Sequence, residues 1–134
     1  MLRLALAPAA LIALLAAPGT AQTPMTAAEF EAYVTGKTLF FSSQGQAYGA
    51  EQYLPGRRVV WTFLGDECQD GFWYESEEHI CFVYDFSPDP QCWTFWKKNG
   101  GLGARFENDP GSTELYEVNQ SPEPLICEGP DVGV

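Results

Sequence analysis

Four cysteines are the residues of this 134-residue chain with the most distinctive chemistry: Cys68, Cys81, Cys92 and Cys127. An even number of cysteines predicts disulfides where the compartment is oxidising, and four cysteines allow three pairings. Cys81 and Cys92 flank the turn-forming residues 86–90, so a hairpin there could place them opposite each other. We therefore favour the Cys81–Cys92 pair, which leaves Cys68 to staple the C-terminal tail to the middle of the chain through Cys127.

The sequence predicts no metal site. It contains no Cys-x-x-Cys pair of the kind that binds zinc locally. Asp66, Asp70, Gly71 and Glu77 match four positions of an EF-hand calcium loop, but Cys68 occupies a position that needs an oxygen ligand. No predicted helix flanks the segment, so the match is attributed to chance.

Residues that could support catalysis are scarce. His79 is the single histidine, and a nucleophilic Cys/His pair would need a free cysteine, contrary to the disulfide prediction. The chain has no Gly-x-Ser-x-Gly turn and no glycine-rich phosphate loop before a helix. Glu77 and Glu78 fall in a predicted turn, where solvated acids are expected. We predict that the protein is not an enzyme and needs no cofactor.

Aromatic residues crowd the centre of the chain. Alternation in a strand would place Ile80, Phe82 and Tyr84 on one face, with Trp93 and Phe95 opposite them across the hairpin. Such rings either fill a core or line a barrel mouth that holds an apolar ligand. Trp73 and Trp96 alternate out of step with their aromatic neighbours along the strand, which predicts that one or both are exposed. The candidate ligand-binding residues are Trp61, Trp73, Tyr84, Trp93 and Trp96.

Turn residues divide the chain into segments that must position these side chains. A capping box at Thr26 and Glu29, followed by an apolar stripe, predicts one short N-terminal helix that ends at Gly36. Eight strands are predicted at 37–42, 46–53, 57–63, 71–76, 79–85, 91–97, 102–107 and 114–119. Short strands at this spacing predict a mainly β fold, a small antiparallel meander barrel, with a two-sheet sandwich as the alternative. Prolines disfavour helix and strand in the tail, 120–134, so we expect the tail to lie on the surface of the domain.

The first residues have the pattern of a secretory signal peptide. A short positive start precedes an apolar run, 4–17, and small residues follow up to Ala21. The run is shorter than the roughly 20 residues that span a bilayer. We expect a signal peptide over 1–21 and a single exported domain over 22–134, periplasmic or secreted and without a membrane span.

The net charge limits the classes of partner that the protein can bind. A net charge of -11 argues against nucleic-acid binding and against attraction to anionic membranes. No basic residue occurs between Arg58 and Lys97, whereas eight acidic residues do. We predict a binding protein for a small apolar or amphipathic ligand. The alternative is an acidic interaction protein that binds a basic protein, such as an inhibitor of a cationic exported lysozyme or protease.

Several short motifs resemble a family of small secreted proteobacterial proteins of unknown function. They are Gly71-Phe72-Trp73, Ile80-Cys81-Phe82 and Cys92-Trp93, with Gly45, Tyr48 and Tyr53 upstream. The resemblance covers about residues 36–100 and implies a small β-rich, lipocalin-like fold. It carries no assigned activity. Cys68 and Cys127 are additions to the family pattern.

Overall fold

The computed structural model describes residues 12–13, 15–16, 22–64 and 67–127. Within them, one α-helix precedes eight strands, and a single 3-10 turn, Pro55–Arg57, separates the second strand from the third. The elements are α1 (Ala27–Val34), β1 (Thr38–Ser43), β2 (Gln46–Leu54), β3 (Arg58–Phe63), β4 (Gln69–Ser76), β5 (His79–Tyr84), β6 (Ser87–Lys98), β7 (Gly101–Phe106) and β8 (Leu115–Ser121).

The strands form a closed antiparallel barrel in sequence order. Each strand pairs with its neighbours in the chain, and β1 also pairs with β8, from Thr38 opposite Ser121 to Ser43 opposite Leu115. Closure leaves no unpaired sheet edge, the usual liability of a small sheet. The predicted meander barrel is therefore confirmed, and the sandwich alternative is excluded.

Alternation along the strands selects the side chains that fill the barrel. In β5, Ile80, Phe82 and Tyr84 are buried, and β6 directs Phe95 to the same interior. Ile80 lies opposite Trp93 in the β5–β6 ladder. This is the arrangement that the sequence pattern predicts, because neighbours across an antiparallel pair share a face.

The helix packs its apolar side into the barrel. Its start is a capping box, in which the Thr26 hydroxyl accepts from the Glu29 amide and the Glu29 carboxylate accepts from the Thr26 amide. Phe30 is fully buried, and its ring centroid lies 4.5 Å from that of Phe95 and 5.2 Å from that of Trp73. The helix is thus a plug held by aromatic contacts.

Two disulfides are present with the predicted pairings. Cys81 and Cys92 lie opposite each other in the β5–β6 ladder, and Cys68 is bonded to Cys127 across 59 residues of sequence. Disulfides persist in oxidising compartments, so the pair indicates an extracytoplasmic environment. The tail before Cys127 is also held by hydrogen bonds to the barrel, for example from the Leu125 amide to the Gln52 side chain.

The element boundaries differ from the prediction by up to four residues, and the largest difference is at the start of β6. The β5–β6 turn lies at 85–86 rather than at 86–90, and β6 begins at Ser87 in spite of Pro88 and Pro90. Both prolines lie where the ladder is interrupted between Ser87 and Gln91, so the missing amide donors cost no sheet hydrogen bond. The last strand also continues to Ser121, two residues into the predicted tail.

The predicted signal peptide, 1–21, lies almost entirely outside the described residues, as do residues 128–134 of the tail. In the part of the chain that is described, no helix has the length and apolar character needed to cross a membrane.

Candidate functional site

The barrel interior contains a cavity of about 60 Å³ on the far side of the Phe30 contacts. Tyr53, Phe82 and Phe95 line it and also pack against Phe30, so they separate the cavity from the helix. We call it the aromatic cavity. The described residues that line it are Phe41, Tyr48, Glu51, Tyr53, Trp61, Phe63, Phe82, Tyr84, Phe86, Gln91, Trp93, Phe95, Ala104 and Leu115.

The aromatic cavity opens to solvent between three exposed rings. Tyr48, Phe63 and Phe86 are 36%, 43% and 53% exposed, although each lines the cavity. We call these three residues the rim. Aromatic side chains left in water at the entrance of an apolar cavity can bury more surface when a ligand enters.

Two groups of rings form the walls. On β2 and β3, the rings of Tyr48, Trp61 and Phe63 lie with centroids 5.3–5.9 Å apart. On the other side, the ring of Tyr84 stacks on Phe86, with a centroid separation of 5.6 Å. A molecule inside the cavity would therefore meet ring faces and edges from both groups.

A glycine allows Trp61 to lie against the second strand. A Cβ atom on Gly49 would meet the Trp61 ring and, at 2.7 Å, the backbone oxygen of Thr62. Gly49 lies opposite Phe63 in the ladder, one step from Trp61 on the same face. The absent side chain thus gives the indole its position in the wall.

One acidic side chain is buried among these rings. Glu51 is 2% exposed, and the Tyr84 hydroxyl donates to its carboxylate, with oxygen–oxygen distances of 3.0 and 2.9 Å. Burial raises the pKa of Glu51 to about 8, although the hydrogen bond from Tyr84 opposes the rise. Burial also raises the pKa of Tyr84 and of Tyr53 well above the ordinary value, and the nearby Glu51 adds to both effects.

Three of the five predicted ligand-binding residues come together. Trp61, Tyr84 and Trp93 line the aromatic cavity, whereas Trp73 and Trp96 do not. The expectation that Trp73 or Trp96 is exposed is wrong, because they are 3% and 2% exposed.

Trp73 and Trp96 are both buried, but in different environments. Trp73 lies opposite Phe82, so it points inward, where Phe30 and the Arg57 guanidinium cover its ring. Trp96 lies opposite Gly103, and its indole occupies the space that a side chain there would fill. Among the described residues, the Trp96 indole nitrogen has no hydrogen-bond partner.

Sequence reasoning missed Glu51, the only carboxylic acid among the described lining residues. A signal for it was available. Glu51 has the same parity as Tyr53 in β2, and both lie opposite buried apolar residues of β3, Trp61 and Val59. An acid at an inward position of an amphipathic strand indicates a specific polar role inside the barrel.

The groups that line the aromatic cavity can form hydrogen bonds and can contact apolar surface. The described lining residues supply one carboxyl group, tyrosine hydroxyls, an amide from Gln91 and many ring faces, but no basic side chain. Across the described part of the chain, no group of three or more His, Cys, Asp or Glu side chains is placed to hold a metal ion.

The chain was compared with protein families, curated proteins and solved structures. No family model, no curated protein and no solved structure matches it. The barrel with two disulfides is consistent with a lipocalin-like fold, and the resemblance to a secreted proteobacterial family stays a prediction.

Proposed function

We propose that this protein is a non-enzymatic binding protein of the periplasm or the extracellular space. Its aromatic cavity holds a small apolar or amphipathic molecule. The observation that carries this proposal is a cavity walled by aromatic rings and open through three exposed ones, Tyr48, Phe63 and Phe86. Concave apolar sites with a few polar groups are typical ligand sites.

The size of the cavity limits how the ligand binds. At about 60 Å³, it is well below the roughly 300–1,000 Å³ of sites that enclose a drug-sized molecule. It has room for a few non-hydrogen atoms, since one water needs about 10–15 Å³ of such space. The inner end of the ligand therefore occupies the cavity, and its remaining body lies against the rim.

A titration with ethylbenzene tests this proposal. Isothermal titration calorimetry should detect binding to the wild type and about tenfold weaker binding to a Phe63→Ala/Phe86→Ala double variant. This estimate assumes that each ring contact contributes on the order of 0.5–1.5 kcal/mol. Phe72→Ala is the matched control, because Phe72 is 50% exposed on β4 but does not line the cavity. Equal affinities for all three proteins, or no binding to the wild type, would contradict the proposal.

A second candidate, an acidic protein that binds a cationic exported enzyme, rests on the surface charge. The described acidic residues from the end of β3 to the first part of β6 are all exposed: Glu67, Asp70, Glu75, Glu77, Glu78, Asp85 and Asp89. Exposed charge of one sign steers association with an oppositely charged partner. Inhibition of a basic lysozyme at low salt, lost at about 1 M salt, would support this candidate. Unchanged lysozyme activity would count against it.

A further inference from the structure

The single acid of the aromatic cavity narrows the class of ligand. Glu51 lines the cavity, and the hydrogen bonds that its carboxylate accepts from described residues come from one hydroxyl, that of Tyr84. A carboxylate offers about four acceptor sites. Glu51 therefore retains acceptor capacity for a donor that enters the cavity.

The surrounding rings favour a cation over a neutral donor. Ring faces attract cations within about 6 Å of their centroids, and the attraction strengthens when water is excluded. The Trp61, Tyr84 and Trp93 rings line the same cavity as Glu51, and no Lys, Arg or His is among its described lining residues. A cation entering this space would meet no repulsive charge from them.

We propose that the ligand carries a protonated amine, an ammonium group attached to an apolar body. The ammonium group donates to the Glu51 carboxylate inside the aromatic cavity, and the apolar body lies between the rings of the rim. This inference rests on the proposed function and specifies its ligand class. The net charge of -11 favours the approach of a cation as well.

The binding step must release a proton. Below pH 8 the Glu51 carboxyl is mainly protonated, because burial raises its pKa to about 8. An ammonium ion that replaces this proton leaves a carboxylate–ammonium pair, and the proton goes to solvent. The other titratable groups that face Glu51 are tyrosines, Tyr48, Tyr53 and Tyr84, whose pKa values are all raised. They stay neutral near pH 7, so the released proton comes from Glu51.

The test compares benzylamine, which is protonated at pH 7, with ethylbenzene, in which a methyl group replaces the ammonium group. Titration calorimetry should show that the wild type binds benzylamine about tenfold or more tightly than ethylbenzene, as expected for a charge-assisted hydrogen bond. Glu51→Gln should remove that preference, so that the variant binds benzylamine no more tightly than it binds ethylbenzene. Glu75→Gln is the matched control, because Glu75 is exposed on β4 and does not line the cavity.

A second readout needs no variant and so does not depend on the folding of Glu51→Gln. Titrations at pH 7 in two buffers of different ionisation enthalpy should report the release of close to one proton per benzylamine bound. Benzylamine binding without proton release, or an affinity no higher than that of ethylbenzene, would overturn the ammonium inference and leave the proposed function standing. Failure of both compounds to bind would overturn both.

Discussion

The buried carboxyl group of Glu51 predicts how the stability of the protein depends on pH. Burial raises the pKa of Glu51 from its ordinary value of 4.5 to about 8. Between these values the folded protein keeps a proton that the unfolded chain has released, so its stability falls as the pH rises and levels off above about pH 8. At about 1.4 kcal/mol per pH unit, the loss is about 5 kcal/mol over the whole interval.

Glu51→Gln should abolish this loss. Glutamine does not ionise, and its side-chain oxygen can still accept from the Tyr84 hydroxyl. We expect the variant and the wild type to have similar stability near pH 4.5, and the variant to be more stable by about 3 kcal/mol at pH 7 and about 5 kcal/mol above pH 8. Comparing the two proteins removes the contributions of all other titrating groups that both share.

The assay is urea unfolding of both proteins at half-unit steps from pH 4.5 to pH 9, with the disulfides intact. The free energy of unfolding of each is extrapolated linearly to water. Glu75→Gln, the same substitution at an exposed acid of β4, serves as the control. A constant difference between Glu51→Gln and the wild type would refute the claim that a desolvated acid lies inside the barrel.

Three further predictions concern the parts that hold the cavity in place. Phe30→Ala should lower the free energy of unfolding by about 3–5 kcal/mol, because it empties a fully buried ring site; urea unfolding measures this, and a loss below about 1 kcal/mol would contradict the plug. Replacing Cys68 and Cys127 by Ser should lower the free energy of unfolding by about 4 kcal/mol, because the unfolded chain gains loop entropy. An unchanged unfolding midpoint would contradict a stabilising role for this disulfide. Gly49→Ala should cost about 1–3 kcal/mol and shift the Trp61 emission spectrum, whereas an unaltered spectrum would contradict the close packing.

Much of the fold could be predicted because each strand is bounded by its own turn signal. Between β6 and β7, for example, Asn99 and Gly100 both have positive φ, 50° and 79°, as a tight hairpin turn requires. The Cys81–Cys92 bond was predicted from the even number of cysteines and from a hairpin between these two. The β5–β6 turn was misplaced because the sequence does not show where a ladder is interrupted, and Pro88 and Pro90 are tolerated only at such an interruption.

The candidate site was less predictable than the fold. Parity along β5 and β6 correctly grouped Tyr84 with Trp93, since a ladder fixes which side chains share a face. The burial of Trp96 depends on the glycine opposite it, and that contact requires the strand register. Glu51 was missed because an acidic residue is usually part of the surface charge. Its shared parity with Tyr53 was the signal available in the sequence, and its register opposite Trp61 shows that this face of β2 lies inside the barrel.

The four tryptophans provide the most direct test of the central claim, that the aromatic cavity is a ligand site. Fluorine NMR of protein labelled with 5-fluorotryptophan gives one signal for each, assigned by single Trp→Phe variants. Addition of ethylbenzene should shift the signals of Trp61 and Trp93, which line the cavity, and leave those of Trp73 and Trp96 unchanged. Shifts confined to Trp73 or Trp96, or no shift at any tryptophan, would contradict the account.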